Sequence, residues 1–447
     1  MSNIVAIVGR PNVGKSTIFN RFTESRQAIT DQESGVTRDR HYGKSEWNGR
    51  EFSVIDTGGY VHGSDDIFES EIRKQVELAI DEANVILFLV DAKAGITDLD
   101  QGVVKLLRKS HKKIVLGVNK VDNTSLLEQA VEFFNLGIGE YIPFSSISGS
   151  GTGELLDELL KHFDDDVEPD EDETPKFAVI GRPNVGKSSF ISALIEKEQN
   201  IVTDIPGTTR DSLNTKFNKF GFDFTLVDTA GVRKKKNVHE NIEFYSVMRS
   251  VRAIEHSDVC IHVIDATRGF ESQDQSIFHI ADKNKKGIVI LVNKWDLQDK
   301  ATETAKKVEE EIKQKIAPFT DVPIVFVSAL HKQRLLKGLE AAIQVHKNRS
   351  QKIATSVFNE VMLPLIEQHP PPATKGKYIR IKYCMQLATE TPTFVFFDNL
   401  PQYIKVLYKR YIEDKLRQEV VVVGVLIQIE VVVVVVGVVV VVAVVVV

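Results

Sequence analysis

Cysteine is nearly absent: Cys260 and Cys384 are the two in a chain of 447 residues. Two thiols cannot build the disulfide framework that staples small secreted domains, and each sits in an apolar run, where it reads as a small buried hydrophobe. No His/Cys cluster has metal-site spacing. A charged leader with a signal-type apolar run is also missing, since a core-like strand at Ile4–Val8 opens the chain, so the cytoplasm is the expected compartment. Excess charge is small: 62 acidic against 56 basic residues give a net −6. That balance excludes nucleic-acid binding over the whole surface and confines any RNA contact to a patch; no DNA partner is expected.

What the chain does have is a repeat. Gly9, Arg10, Pro11, Asn12, Val13, Gly14, Lys15 and Ser16 return as Gly181, Arg182, Pro183, Asn184, Val185, Gly186, Lys187 and Ser188. Each copy follows an apolar run and opens a helical pattern through Thr17 or Ser189, the context in which G-x-x-x-x-G-K-[ST] marks a phosphate-binding loop. Chance yields a single match now and then, but not two in one chain. In such a loop the backbone N–H groups curl around phosphate oxygens at a helix N-terminus. Lys15 or Lys187 reaches the β- and γ-phosphates, and the Ser16 or Ser188 hydroxyl ligates Mg²⁺.

The register runs on past the loops. Asp56, Thr57, Gly58 and Gly59 begin 47 residues after Gly9, and Asp228, Thr229, Ala230 and Gly231 begin 47 after Gly181. Thr37 and Thr209 each stand 28 residues into their copy. Asn119, Lys120, Val121 and Asp122 are matched by Asn293, Lys294, Trp295 and Asp296, and Ser145 and Ser146 by Ser328 and Ala329. In this order they are the parts of a GTPase. Asp56 and Asp228 end apolar strands, where a carboxylate holds Mg²⁺ through water, and the Gly59 and Gly231 amides meet the γ-phosphate. Thr37 and Thr209 add a hydroxyl to the metal only while that phosphate is present, which makes them switches. The carboxylates of Asp122 and Asp296 accept two hydrogen bonds from the N1–H and amine of guanine; adenine lacks that donor pair. Lys15, Thr37 and Gly59, with Lys187, Thr209 and Gly231, are the expected catalytic groups.

One catalytic part is missing. Ras-like proteins follow Asp-x-x-Gly with a glutamine that orients the attacking water, whereas Tyr60 and Val232 stand there in this chain. Neither polarises water, so intrinsic turnover should be slow, as suits a timer or checkpoint.

The length leaves room for about three domains. A first GTPase unit is expected over 1–163, an acidic, proline-containing linker over 164–175 that reads as a solvated connector, and a second GTPase unit over 176–349. Both alternate apolar strands with helical segments such as 67–81 and 240–255, an α/β pattern that implies a mostly parallel sheet with helices on both faces. The remainder, 350–447, reads helix (near 352–366), strand (378–385), strand (391–397), helix (near 402–417). From Val420 onward the chain is almost entirely valine. Such a run is strongly β-prone and aggregates if exposed, and no function is assigned to it.

The tandem loops, the acidic connector, the basic run 232–236 after the second Asp-Thr-Ala-Gly and this third domain together resemble the Der (EngA) family of bacterial double-domain GTPases, over nearly all of 1–419. The resemblance implies a C-terminal KH-like α+β domain and a cytoplasmic GTP hydrolase, monomeric when free. It would cycle between GTP and GDP with Mg²⁺ and mature the large (50S) ribosomal subunit by nucleotide-switched contact with its rRNA. It also implies that Asn12 and Asn184, which otherwise cap their loops, help coordinate K⁺ beside the phosphates. The fit has departures. An ordinary KH module grips RNA with a G-x-x-G loop, yet Gly376 is the only glycine between Arg349 and Val423. The basic segment 375–382 and the Tyr408–Tyr411 cluster read either as solvated faces or as contacts to RNA or to the GTPase units. The family also ends in a mixed strand with basic residues instead of valines. A tRNA-modification GTPase would have one GTPase domain and a cysteine-bearing tail; a signalling or membrane-remodelling G protein would want a lipid anchor or amphipathic helix. No membrane partner is expected.

Overall fold

The computed structural model describes residues 3–30, 42–57, 73, 76–77, 79–80, 83–163, 174–195, 214–219, 221–227, 250–298, 302–373, 376–420 and 422–433. They fall into two compact units, Met1–Glu171 and Asp172–Val446.

In the first unit β1 (Asn3–Val8), β4 (Val85–Asp91) and most of β5 (Lys113–Asn119) are unbroken apolar runs, buried along their length. Burial on both faces is what a central parallel strand demands. With β2 (Tyr42–Trp47), β3 (Arg50–Asp56) and β6 (Tyr141–Pro143) they form one sheet in the order β2-β3-β1-β4-β5-β6. Only the β2–β3 pair is antiparallel, joined by Asn48 and Gly49, both at positive φ; a two-residue hairpin turn of that hand matches the strand twist. The connections on the two sides of β1 leave in opposite directions, so the crevice at its carboxyl end is where an open α/β sheet binds ligands.

The second unit repeats this plan. Its strands β7 (Lys176–Ile180), β8 (Thr215–Lys219), β9 (Phe222–Val227), β10 (Val259–Asp265), β11 (Gly287–Asn293) and β12 (Ile324–Phe326) run β8-β9-β7-β10-β11-β12, the same order. Helices Lys187–Ile195, Ser272–Lys283, Thr302–Ile316 and Leu335–Ser350 accompany the sheet.

After Ser350 the same unit continues into a KH-like layer, in which helices Thr355–Gln368 and Val406–Glu419 pack on a three-stranded sheet. Phe358, Met362 and Ile366 of one helix and Tyr408, Ile412 and Leu416 of the other recur every fourth residue. They bury against Phe394, Phe396 and Cys384, the single-stripe pattern of a helix on a sheet. Strands β13 (Ile381–Leu387) and β14 (Thr393–Asp398) match the sequence expectation with starts two or three residues later. The third strand was not expected. β15 (Gln428–Val433) comes from the valine-rich tail and pairs parallel to β14, with Val422, Val425, Ile427, Val431 and Val432 buried; the core takes up the β-prone run instead of leaving it exposed.

The tail also crosses to the GTPase sheet. Gly424 accepts a hydrogen bond from the Ile288 amide (2.9 Å) and donates one to the Asp321 carbonyl (2.6 Å). Asn348 Nδ2 donates to the Val423 carbonyl, Arg417 donates to that of Val425, and Val425 lies within the core of the GTPase fold. Gly424 has φ +75°, and a Cβ there would stand 2.4 Å from Val345 Cγ2, so only glycine makes this close approach without strain.

Candidate functional site

Both phosphate-binding loops have the same backbone. Gly9, Asn12 and Gly14 sit at φ +152°, +64° and +99°, and Gly181, Asn184 and Gly186 at +139°, +63° and +98°. The glycines are set by what they face. A Cβ on Gly14 or Gly186 would stand 2.2 Å from the Nδ2 of Asn119 or Asn293. Those asparagines in turn donate to the carbonyls of Val13 (2.7 Å) and Val185 (2.8 Å). The base-side motif is thus bolted to the back of the loop.

Lys15 Nζ donates to the carbonyls of Gly9 and Arg10 (2.7 and 2.8 Å), and Lys187 Nζ repeats this with Gly181 and Arg182 (both 2.6 Å). Each ammonium lies across its own loop, over the space a phosphate chain would fill. Burial lowers the Lys15 pKa to about 8, with Asp56 opposing and Arg10 adding to the shift. The Ser16 hydroxyl donates to Asp56 Oδ2 at 2.6 Å, a hydroxyl and carboxylate pair of the hard oxygen kind that fits Mg²⁺. Thr57 instead turns away and donates to the Ile7 carbonyl. Thr17 and Ser189 are exposed on their helices' first turns. Pro11 lies half-buried and Pro183 exposed at their loops' tips.

Arg10 and Arg182 point away from the loop interiors. Arg10 Nε pairs with Asp100 (3.4 Å), which forms a capping box with Thr97 at the start of helix Asp98–Lys109; Arg182 Nε pairs with Asp274 (2.8 Å) and its Nη1 with Glu271, the capping-box residues of helix Ser272–Lys283. Sequence reading missed these carboxylates, and their only signal is the capping-box spacing before each helix.

On the base side, Lys120 and Lys294 stand at positive φ and reach back to Asp91 and Asp265 at 2.6 and 2.5 Å. These aspartates were also missed, although the repeated Asp-Ala pairs at 91–92 and 265–266 could have marked them. Burial disfavours a charged Asp265, but bonds from Lys294 and Thr267 outweigh it and hold the carboxyl below its usual range. Ser146 and Ala329 donate backbone N–H bonds to Asn119 and Asn293, both at 2.9 Å. The amides of Val121 and Trp295 donate to Phe144 and Val327 carbonyls.

The two base-reading aspartates differ. Asp122 accepts from Ser145 Oγ (2.7 Å) and Lys93 Nζ (3.0 Å), which hold its pKa below the usual value. Thr267 stands where a second Lys93 would be, and Asp296 keeps a buried Oδ1 without a hydrogen-bond partner among the described residues. His331 Nε2 lies 3.7 Å from its other oxygen, and Ser328 Oγ accepts from the His331 amide. A buried unmet acceptor is costly, and a ligand that brings N–H donors would satisfy it.

Thr37, Gly58, Gly59, Tyr60, Thr209, Asp228, Thr229, Ala230, Gly231 and Val232 lie outside the described residues, as do the acidic stretch 164–173 and the basic run 232–236. In the KH-like layer the aromatic cluster divides. Tyr408 is buried and donates to the His369 carbonyl, and Tyr411 donates to that of Leu365, so both tyrosines serve packing. Lys377, Tyr378, Arg380, Lys382 and Tyr383 are exposed on one stretch. Lys377 and Arg380 precede β13 instead of lying within it, because Asn399 holds the lead-in through the Arg380 amide and Tyr378 carbonyl.

Family models agree with this geometry. One described as 50S ribosome-binding GTPase matches residues 4–120 and again 176–294, and one described as the C-terminal KH-domain-like of EngA bacterial GTPase enzymes matches 352–431. GTPase Der of Flavobacterium johnsoniae is 67% identical over 430 residues, 96% of this chain and 98% of that one. The chain belongs to the Der family of bacterial GTPases. GTPase Der of Bacteroides fragilis is 60% identical over 94% of this chain and 97% of that one, and that of Porphyromonas gingivalis 56% over 93% and 96%. As a Der-family GTPase this protein binds GTP and GDP and hydrolyses GTP, with the Mg²⁺ usual to such enzymes. No described helix is long and apolar enough to cross a membrane.

Proposed function

We propose that this GTPase is a cytoplasmic assembly factor for the large ribosomal subunit, monomeric when free, whose nucleotide state controls its hold on 50S precursors and their rRNA. The observation that carries the reading is the exposed run of Lys377, Tyr378, Arg380, Lys382 and Tyr383, built into the same packed unit as the second nucleotide site. Cations for phosphates and aromatic faces for unpaired bases are what an RNA contact needs. The family description, 50S ribosome-binding GTPase, points the same way. In sedimentation with purified precursor particles, a non-hydrolysable GTP analogue should promote association and GDP weaken it. Replacing Lys377, Arg380 and Lys382 together by Ala should reduce it and its salt slope, since three phosphate contacts are removed, without altering GTP affinity. Equal association in both nucleotides and indifference to the triple substitution would refute the proposal.

The roles proposed for the site residues follow the motifs to which they belong. The loops Gly9–Thr17 and Gly181–Ser189 cradle the phosphates, Asp122 and Asp296 read guanine, and Ser16 with Asp56 would hold Mg²⁺, which offsets phosphate charge. Thr37, Thr209, Gly59 and Gly231 act as γ-phosphate sensors, and 1–163, 176–349 and 350–447 are the functional domains. Asn12 and Asn184 are proposed to hold K⁺, which would substitute for the absent glutamine by fixed charge. Hydrolysis should then run several-fold faster in K⁺ than in Na⁺ at equal ionic strength, and Asn12→Ala or Asn184→Ala should erase the difference at its own site; equal rates in both salts would remove K⁺ from the scheme.

A further inference from the structure

In the first unit, residues 121–160 carry seven carboxylates and no lysine, arginine or histidine. The segment begins at the base-reading motif and continues through helix Thr124–Gln129 into a tighter turn of helix, Ala130–Leu136. Ala130, Phe133 and Leu136 point inward and are buried. On the other side Leu127, Val131 and Phe134 are 45%, 58% and 63% exposed. Spacings of four and three put them on one helical face. Glu128 and Glu132, both exposed, run alongside.

Single exposed hydrophobes are ordinary; an aligned set including a phenylalanine marks an interaction surface. The repeat supplies an internal control. Helix Thr302–Ile316 follows the second base-reading motif, holds four lysines and four glutamates, and exposes no large hydrophobic side chain among its described residues. The stripe is therefore a property of the first unit and not of the fold. Two cations that reach this segment are engaged, Arg108 with the Leu136 carbonyl and Lys93 with Asp122.

We propose that this face docks a lysine- and arginine-rich segment of a partner protein, whose apolar side chains seat on Leu127, Val131 and Phe134 while its cations meet Glu128 and Glu132. Charge complementarity selects that occupant. RNA would bring phosphates against carboxylates, and a second copy docked by the same face would oppose like charges.

The test uses the full-length chain in growing bacteria with Phe134 replaced by the photocrosslinker benzoylphenylalanine, and crosslinked products sequenced by mass spectrometry. The expected product is a protein segment rich in lysine and arginine with interspersed apolar residues. A synthetic peptide of that segment should bind the purified chain. Leu127→Ser, Val131→Ser and Phe134→Ser combined should weaken it at least tenfold, as should Glu128→Lys with Glu132→Lys, with GTP affinity unchanged. No crosslink, a crosslink to RNA, to the same chain or to a second copy, or a peptide indifferent to both sets of substitutions would overturn the proposal.

Discussion

Asp296→Asn is expected to convert the second site from guanine to xanthine nucleotides. In the role proposed for it the carboxylate would accept two N–H bonds from guanine, and charge-assisted bonds contribute about 1.5–3 kcal/mol each, so GDP affinity there should fall by about 10²- to 10⁴-fold. An amide presents a donor in place of one acceptor, which suits the carbonyl that xanthine carries. The buried Oδ1 of Asp296, without a hydrogen-bond partner among the described residues, makes this the cleaner of the two sites. Asp122→Asn should act in the same direction at the first site, but it also releases Lys93 and Ser145. Equilibrium titration with fluorescent GDP and xanthosine diphosphate decides the matter, and GDP affinity undiminished at the substituted site would sink the assignment.

Lys15→Ala and Lys187→Ala should each lower hydrolysis at their own site by about 10²- to 10³-fold, the scale of losing one charge-stabilising group aimed at the reacting oxygens. The first site adds a pH signature. Without nucleotide the Lys15 pKa is about 8; phosphates beside it would raise that value, because opposite charge favours the ammonium. Nucleotide affinity should be flat below pH 8 and fall above it, by up to about tenfold per pH unit. The free protein should respond in the opposite sense. Its folded-state pKa lies below the unfolded value, so burying the ammonium costs stability below pH 8, and that cost disappears as pH rises towards 10.5. Lys15→Arg should flatten both profiles. A pH-independent affinity in the unsubstituted protein would show that the ammonium is not the group the phosphates meet.

The sheets were legible because β1, β4, β10 and β11 are apolar runs buried on both faces, a pattern that hardly depends on neighbours. The loops and base motifs were legible because their residues are close in sequence or repeat at one spacing. What stayed hidden depends on distant pairings. Nothing local ties Arg182 to Asp274, and Lys93 at Asp122 stands out only beside Thr267 in the repeat. Tyr408 sits in a basic tetrapeptide that invites an RNA reading, while its place every fourth residue with Ile412 and Leu416 puts it inside. β15 was missed for a different reason: Gln428, Ile429 and Glu430 alternate, but they sit within a valine run that does not, so neither the strand's bounds nor its register is encoded locally.

The seam at Gly424 bears on how this protein can be taken apart. Cutting after Ser350 to obtain a free-standing second GTPase would pull Val425 out of that domain's core and leave the Ile288 amide without its acceptor. The excised remainder would lose the Asp321 carbonyl and the Asn348 side chain that hold residues 423 and 424 in place. The two folds share a wall, and a fragment meant to isolate either must carry that wall with it. Expression of the second half is therefore best begun near residue 172 and carried through residue 433, with catalysis and RNA contact assayed on one indivisible piece.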